Sequence, residues 1–389
     1  MNSRASEIAR HAGRQQLATA LRNSRARTLA LLDAYALVLG QDLKVPLSAQ
    51  LNPPLWEAGH VGWFQDFWLA RNRQRSRGID ADPDHDRPPG RLPQADALYN
   101  SSLVAHDTRW DLPLPDLAAT RAYLNEGLAE TLTLLARTPE TDRDLYFFRL
   151  ALFHEDMHGE AGIYMAQALG IPPPEGLWRA ADDRHAASPP TALSLPAQRW
   201  QLGYADRGFA FDNELPAHAV DLDPFVIESE VVSWERYLPF VDATGAAPPR
   251  YLRRRGKQWE RQLFGEWQPL PLAEPATHLS WFEADAWCRW AGCRLPSEAE
   301  WEAAALGCHD ARRDFHWGQV WEWTASRFAP YPGFSAHPYR DYSVPGFGER
   351  YVLRGASRAT SLRMAHPRYR NFFTPERNDV HSGFRCCRR

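Results

Sequence analysis

A helical bundle followed by a mixed α+β domain is the fold class this sequence predicts. Three observations carry that reading. The first 170 or so residues hold four long runs with helical apolar spacing, and a Pro- and Ala-rich stretch follows. Beyond it the texture changes to short strand-like runs among Gly, Pro and aromatic turns. At 389 residues the chain is also too long for one ordinary core, which points to two domains.

The first run, SEIARHAGRQQLATALRNSRARTLALLDAYALVL, has helical spacing and no Pro. The second, NPPLWEAGHVGWFQDFWLARNRQRSRG, opens on Asn-Pro-Pro, a good helix entry. LPDLAATRAYLNEGLAETLTLLART is the third, and ETDRDLYFFRLALFHEDMHGEAGIYMAQALG is the fourth, closed by Gly170 and the prolines after it. Four such helices suggest a bundle over residues 1–172. The long connection GIDADPDHDRPPGRLPQAD is of the kind that lines sites. Residues 173–198 read as a linker, and residues 199–389 as the second domain. There AHAVDLDPFVIESEVVSWERYLPFV reads as strand, turn and short helix, while SWFEADAWCRWAG and PSEAEWEAAALG read as helices.

Composition excludes several function classes. A formal net charge of -3 offers no basic field for nucleic acid. No stretch is long and apolar enough to cross a bilayer, and MNSRASEIARHAGRQQ has no apolar run fit for a signal peptide. The five cysteines are odd in number and lack C-x-x-C spacing, which fits reduced thiols and a cytoplasmic location. Cys386 and Cys387 are adjacent, so a strand would turn them to opposite faces, and packing is their expected role. Small-molecule substrates are the expected partners.

The chemistry-bearing motif is LFHEDMHGEAG. His154 and His158 stand four apart, on one face of a helix, and can share a metal ion. Read alone, H-E-x-x-H suits a zinc hydrolase with Glu155 as general base. Glu160 diverges from His154 on a regular helix and reads as an outer partner. His60, in NPPLWEAGHVGWF, is the third ligand candidate, on a second bundle helix; packing among the aromatic residues around it is the alternative. Three neutral imidazoles with open positions suit Zn(II) or Fe(II), and spacing alone does not choose.

WEAGHVGWF, HEDMHGEAG, FAFDNELPAH, SWFEADAWCRWAGCRLPSEAEWEAAA, VWEWTAS, YPGF and YVLRGASRATSLRMAHPRYRNFFTPERNDVHSGFRC occur in order. Together they resemble the ergothioneine sulfoxide synthase family over nearly the whole chain. The resemblance implies a DinB-like four-helix bundle joined to a C-type-lectin-like domain of the formylglycine-generating-enzyme (sulfatase-modifying factor) type. It implies non-haem Fe(II) with O2 as co-substrate, and attachment of a sulfur or selenium donor to carbon 2 of the hercynine imidazole. His60, His154 and His158 resemble the iron ligands. Asn371, Phe372 and Phe373 fall in the turn that contacts hercynine, Arg377 near the donor, and Tyr339 and Tyr342 where the family places its proton- or electron-delivering tyrosine. A quaternary ammonium cannot donate a hydrogen bond and needs aromatic faces, for which Trp321 and Trp323 are further candidates.

Departures from the peptide-thiol members point to the donor. Met157 stands where those members commonly have Gln. In AHDTRWDLPLPD only Arg109, with His106 nearby, stands where they have two arginines suited to a carboxylate clamp. This pattern resembles the selenoneine synthase branch, which uses a selenosugar. The alternative is cysteine or γ-glutamylcysteine as donor.

Overall fold

The computed structural model describes residues 4–180, 191–310 and 315–389. Part of the expected linker, residues 181–190, lies outside the described residues.

The helical half contains α1 (Arg4–Arg10), α2 (Arg14–Leu39), α3 (Pro54–Gln65), α4 (Ala95–Tyr99), α5 (Leu117–Arg137) and α6 (Asp142–Leu169). The first predicted run is two helices. Its backbone is extended at Gly13, where the Gln16 side chain accepts from the Gly13 N–H at 3.2 Å. The second run is shorter than expected. α3 starts on a proline, passes into a π-helical turn over Asp66–Ala70 and stops there. α5 is capped by Asp116, which accepts from Ala119 N at 2.8 Å. α6 is capped by Thr141 and closed by Gly170 at φ 70°. The four long helices α2, α3, α5 and α6 form the bundle.

The second half holds β1 (Ala192–Leu195), β2 (Gln198–Leu202), β3 (His218–Leu222), β4 (Phe225–Glu228), α7 (Trp234–Thr244), β5 (Leu252–Arg255), β6 (Gln258–Leu263), β7 (Glu266–Pro269), α8 (Trp281–Trp290), β8 (Cys293–Arg294), α9 (Glu298–Asp310), β9 (Trp321–Arg327), β10 (Tyr351–Gly355), β11 (Asn371–Phe373), β12 (Ser382–Gly383) and β13 (Cys387–Arg388). They form sheets ordered β1-β4-β13-β8, β11-β10-β9-β12, β5-β6-β7 and the pair β2-β3. β1 falls inside the stretch expected as linker. Its Leu193 and Leu195 are buried and it pairs with β4, so from Ala192 onward the connection is part of the sheet.

The two halves share one buried core. Phe153 of α6 stacks on Phe209 with ring centroids 5.0 Å apart. Arg10 of α1 pairs with Glu214 at 2.8 Å, both fully buried, and Arg363 pairs with Asp156 of α6 at 2.6 Å. α6 is therefore buried on nearly every side over Leu145–Asp156, one face against the bundle and another against the second half. The helix that carries the H-E-x-x-H motif is thus also the wall between the halves.

Candidate metal centre

Helical spacing puts His154 and His158 one turn apart on α6, and α3 brings His60 across from them. One ligand atom from each ring lies within 4.8 Å of the others. Beside His60, position 59 must be glycine for α4 to pack against α3, because a Cβ there would sit 2.2 Å from the Tyr99 ring.

Outer partners fix which nitrogen of two rings faces the centre. The His60 Nδ1–H donates to the Tyr99 carbonyl at 2.7 Å, which leaves Nε2 free. His158 Nδ1–H donates to Glu57 Oε2 at 2.5 Å, again leaving Nε2. Asn52 in turn donates to Glu57 at 2.5 Å, and Arg109 donates to Asn52 at 2.8 Å. His154 lies flat on Phe64, with centroids 3.5 Å apart, and both its ring nitrogens are buried with no partner among the described residues. A buried imidazole with nothing to bond is costly unless something else completes it. Burial first, and then the neighbouring His158, hold His60 down at about 3, and burial holds His154 well below its ordinary range. Both rings are therefore neutral, the state a metal ligand needs. Burial would raise Glu57, but His158, His60 and Asn52 together outweigh it and bring the carboxyl down to about 2. The donor set of three imidazole nitrogens, one of them from an orphan ring, fits a divalent transition metal.

A cavity of about 440 Å3 opens beside the histidines. Of the residues singled out from the sequence, Met157, Tyr339, Tyr342, Asn371, Phe372, Phe373 and Arg377 all line it. Tyr339 stands edge-on to His154 at 5.9 Å, and no partner holds its hydroxyl among the described residues. The Tyr342 hydroxyl instead meets that of Tyr369 at 2.7 Å, and Tyr369 donates to Met157 Sδ at 3.5 Å. Asn371 Oδ1 accepts from Phe372 N at 2.9 Å, so its amide N–H groups remain for the cavity. Arg377 is held by Asp379 at 2.6 Å, whereas Arg350, also lining the cavity, lies over Phe372 with no ion pair among the described residues.

Two expected contacts lie elsewhere. Trp323 is fully buried and donates to the Leu279 carbonyl at 2.7 Å. It sits two residues further along β9 than Trp321, and at about 3.3 Å per residue that step carries it out of the cavity and into the domain core. Trp321 lines the cavity instead and donates to Glu160 at 2.7 Å. Arg109 lies over Trp56 at 3.7 Å and reaches the centre only through Asn52 and Glu57. The zinc-hydrolase assignment of Glu155 also fails. Its carboxylate is paired with Arg25 at 2.7 Å and accepts from Thr28 at 2.9 Å, fully buried, so it is spent as a structural partner. Cys386 and Cys387 are buried, with Cys293 pushing the Cys386 thiol up and burial pushing Cys387 up, so neither is a ready thiolate.

Sequence comparison places this geometry among known proteins. A hercynine oxygenase of Mycobacterium tuberculosis is 31% identical over 95% of this chain and 98% of its own length. Another, from Mycolicibacterium smegmatis, is 31% identical over 96% and 98%. The chain belongs to the hercynine oxygenase family. Residues 179–319 and 313–389 match the sulfatase-modifying factor enzyme 1-like domain. A formylglycine-generating enzyme of Streptomyces coelicolor is 29% identical over 56% of this chain. The second half of this family member is thus of the sulfatase-modifying factor kind. The histidine-bearing bundle is what the chain has beyond that domain.

Some residues at the centre and its cavity escaped the sequence reading. Glu57 stands three residues before His60, on the same helix face, and that spacing was an available signal. Arg350, Tyr369 and Asp379 reach the cavity from loops, where no helix or strand period marks them.

Proposed function

We propose that this protein catalyses O2- and Fe(II)-dependent formation of a C–Se bond at imidazole carbon 2 of hercynine, with a selenosugar as donor. The observation that carries the iron-dependent part is the convergence of His60, His154 and His158, with His154 left as a buried orphan, on an aromatic-walled cavity. Similarity to hercynine oxygenases over the full chain supports hercynine as the acceptor. On this reading residues 1–172 are a DinB-like bundle and residues 199–389 the substrate-facing domain. Bound by the three imidazoles, Fe(II) would supply O2 activation and open coordination positions.

The chain's own groups then divide the work. Phe372, Phe373 and the tyrosine faces receive the trimethylammonium group, which offers no hydrogen-bond donor. The Asn371 amide donates to the acceptor substrate. The Tyr339 hydroxyl, beside His154 and free of protein partners, holds a proton at the reacting end of the cavity, and Tyr342 is occupied by Tyr369. Glu57 holds the Nδ1 proton of His158 and so keeps that ring turned to the centre.

Arg109 supports the selenosugar reading, because its guanidinium is turned onto Trp56 and takes no part in a carboxylate clamp at the cavity. Arg350 favours a second reading, a carboxylate-bearing thiol such as cysteine or γ-glutamylcysteine, since it lines the cavity without an acidic partner. A competition assay separates them. Fe(II)-loaded protein in air receives hercynine with equal selenosugar, cysteine and γ-glutamylcysteine, and mass spectrometry reads the adducts. A hercynine–selenium adduct as the main product is expected. A sulfoxide adduct as the main product would transfer the assignment to the second reading, and no adduct from any donor would refute both.

A further inference from the structure

A second cavity lies apart from the histidine centre, where the β5-β6-β7 sheet, the turn before α8 and the segment leading into β12 meet. Its interior is about 40 Å3, room for one small ion or a few waters. Its lining is unusual in what it leaves unpaired. Trp234 Nε1, Arg261 Nε, Thr277 Oγ1 and His381 Nε2 are buried, and none has a partner among the described residues. Trp234 is 1% exposed and His381 2%, so bulk water does not complete them. An indole N–H and a guanidinium N–H can only donate, and a threonine hydroxyl can do so.

Charge points the same way. Arg250, Arg261 and Arg358 line the cavity. The carboxylate among its lining residues is Glu274, already paired with Arg261 at 2.7 Å and with Arg358 at 3.4 Å. Three positive groups against one negative leave an excess of two. His278 is held neutral by burial first and then by Arg250, and His381 by burial, then His278, then Arg358, so neither adds charge. A cation would be repelled here. An apolar guest would strand the donors without acceptors. An oxyanion would accept from them and offset the arginines.

We propose that this cavity is a binding site for a small oxyanion, of phosphate or carboxylate type, held by Trp234, Arg250, Arg261 and Thr277. The proposal is independent of the hercynine chemistry. It does place the anion close to that chemistry's cavity. His381 packs edge-on against Tyr164 with centroids 5.4 Å apart, and Tyr164 lines the substrate cavity, as do Arg377 and Asp379 on the chain just before His381.

The test is calorimetric titration of the full-length protein with inorganic phosphate and, separately, with acetate, at an ionic strength fixed by chloride. Saturable one-to-one binding is expected for at least one of the two, and which one binds assigns the anion type. Thr277→Val removes one donor with little change of shape, and Trp234→Phe removes another together with part of a buried ring. Each should weaken binding about tenfold, the size expected for one hydrogen bond to a charged group. In anion-free buffer Thr277→Val should melt no lower than wild type, because it deletes a polar atom that lacked a partner, whereas Trp234→Phe should melt lower by the core packing it loses. Arg250→Gln should weaken binding further. A crystal grown with the bound anion should show its density between Trp234 and Arg250. No saturable binding of either anion, affinity unchanged in both Trp234→Phe and Arg250→Gln, or density for waters alone would overturn the proposal.

Discussion

The two walls of the main cavity are built by different physics. On the bundle side, the three clustered histidine rings sit on helices, and each ring's direction is set by a neighbour in space: Tyr99 for His60, Glu57 for His158, Phe64 for His154. On the other side, the lining residues sit on loops and on the short strand β11, and they are held by ion pairs buried behind them. Arg370, next to Asn371, is buried and paired with Glu298 at 2.9 Å, and it donates to the Asn213 carbonyl at 2.7 Å. Arg354 of β10, two strands deep, shares the same Glu298 at 2.8 Å and also meets Glu302 at 3.1 Å. Helix periodicity sets the ligand wall, and buried ion pairs set the substrate wall. Breaking each wall should therefore fail in a different way.

The largest effect is expected at the ligand wall with the fold intact. His154→Ala removes a buried imidazole that has no protein partner, so folding loses little beyond packing. Iron content measured after loading should fall from near one equivalent to near zero, and product formation to background. A variant that still binds a full equivalent of iron would show that His154 is not a ligand.

The next effect is expected at the substrate wall and should appear as stability. Glu298→Gln leaves the buried Arg354 and Arg370 short of a countercharge. Removing one partner of such a pair costs about 3–5 kcal/mol. Urea unfolding should report that loss while iron content stays near wild type. If instead iron is lost and stability kept, the division between the two walls is wrong.

A third effect is pH-dependent. Asp212 accepts from Ser343 and from His337 N at 3.3 Å, behind the loop that carries Tyr339. Burial raises its carboxyl to about 6, above its ordinary 3.8, despite those hydrogen bonds. The folded state therefore prefers it protonated, and stability falls as pH rises from about 4 through about 6. The rise from 3.8 to about 6 sets a ceiling of about 3 kcal/mol. The gap in unfolding free energy between Asp212→Asn and wild type should widen by up to that amount in favour of the variant between pH 4 and pH 7. A gap that does not change with pH would place the Asp212 carboxyl in its ordinary range.

What the sequence made legible follows the same division. His154 and His158 were readable because a helix converts a four-residue spacing into one face, whereas Gly59 and Gly62 beside His60 make room for Tyr99 and Tyr123 and not for α6, so no local spacing tied His60 to the other two. Trp323 misled because a strand's alternation shows which residues share a face but not where along the strand the cavity ends. Arg109 misled because its loop suggests a substrate contact, while its actual partners, Trp56 and Asn52, are known only once α3 is in place. Arg350 and Tyr369 were silent because the contacts that bring them to the cavity span long loops. The two-helix break at Gly13 and the early stop of α3 are local departures that leave the bundle unchanged.

The smallest effect bears on whether the ligand wall is set by neighbours as well as by periodicity. Glu57→Gln keeps the shape of the side chain and its contact with Asn52, and replaces a carboxylate acceptor of the His158 Nδ1–H with a neutral amide. The three histidines remain, so iron should still bind. A partner of this kind is worth about 10–100-fold in metal affinity, so a chelator competition should show a dissociation constant raised by that factor. Because the carboxylate offsets the charge of a metal held by three neutral rings, Glu57→Asp should recover less than full affinity: it retains the charge but shortens the reach to His158. If Glu57→Gln binds iron as tightly as wild type, α6 and α3 alone fix the ligand geometry, and the hydrogen bond to His158 serves only to satisfy a half-buried ring.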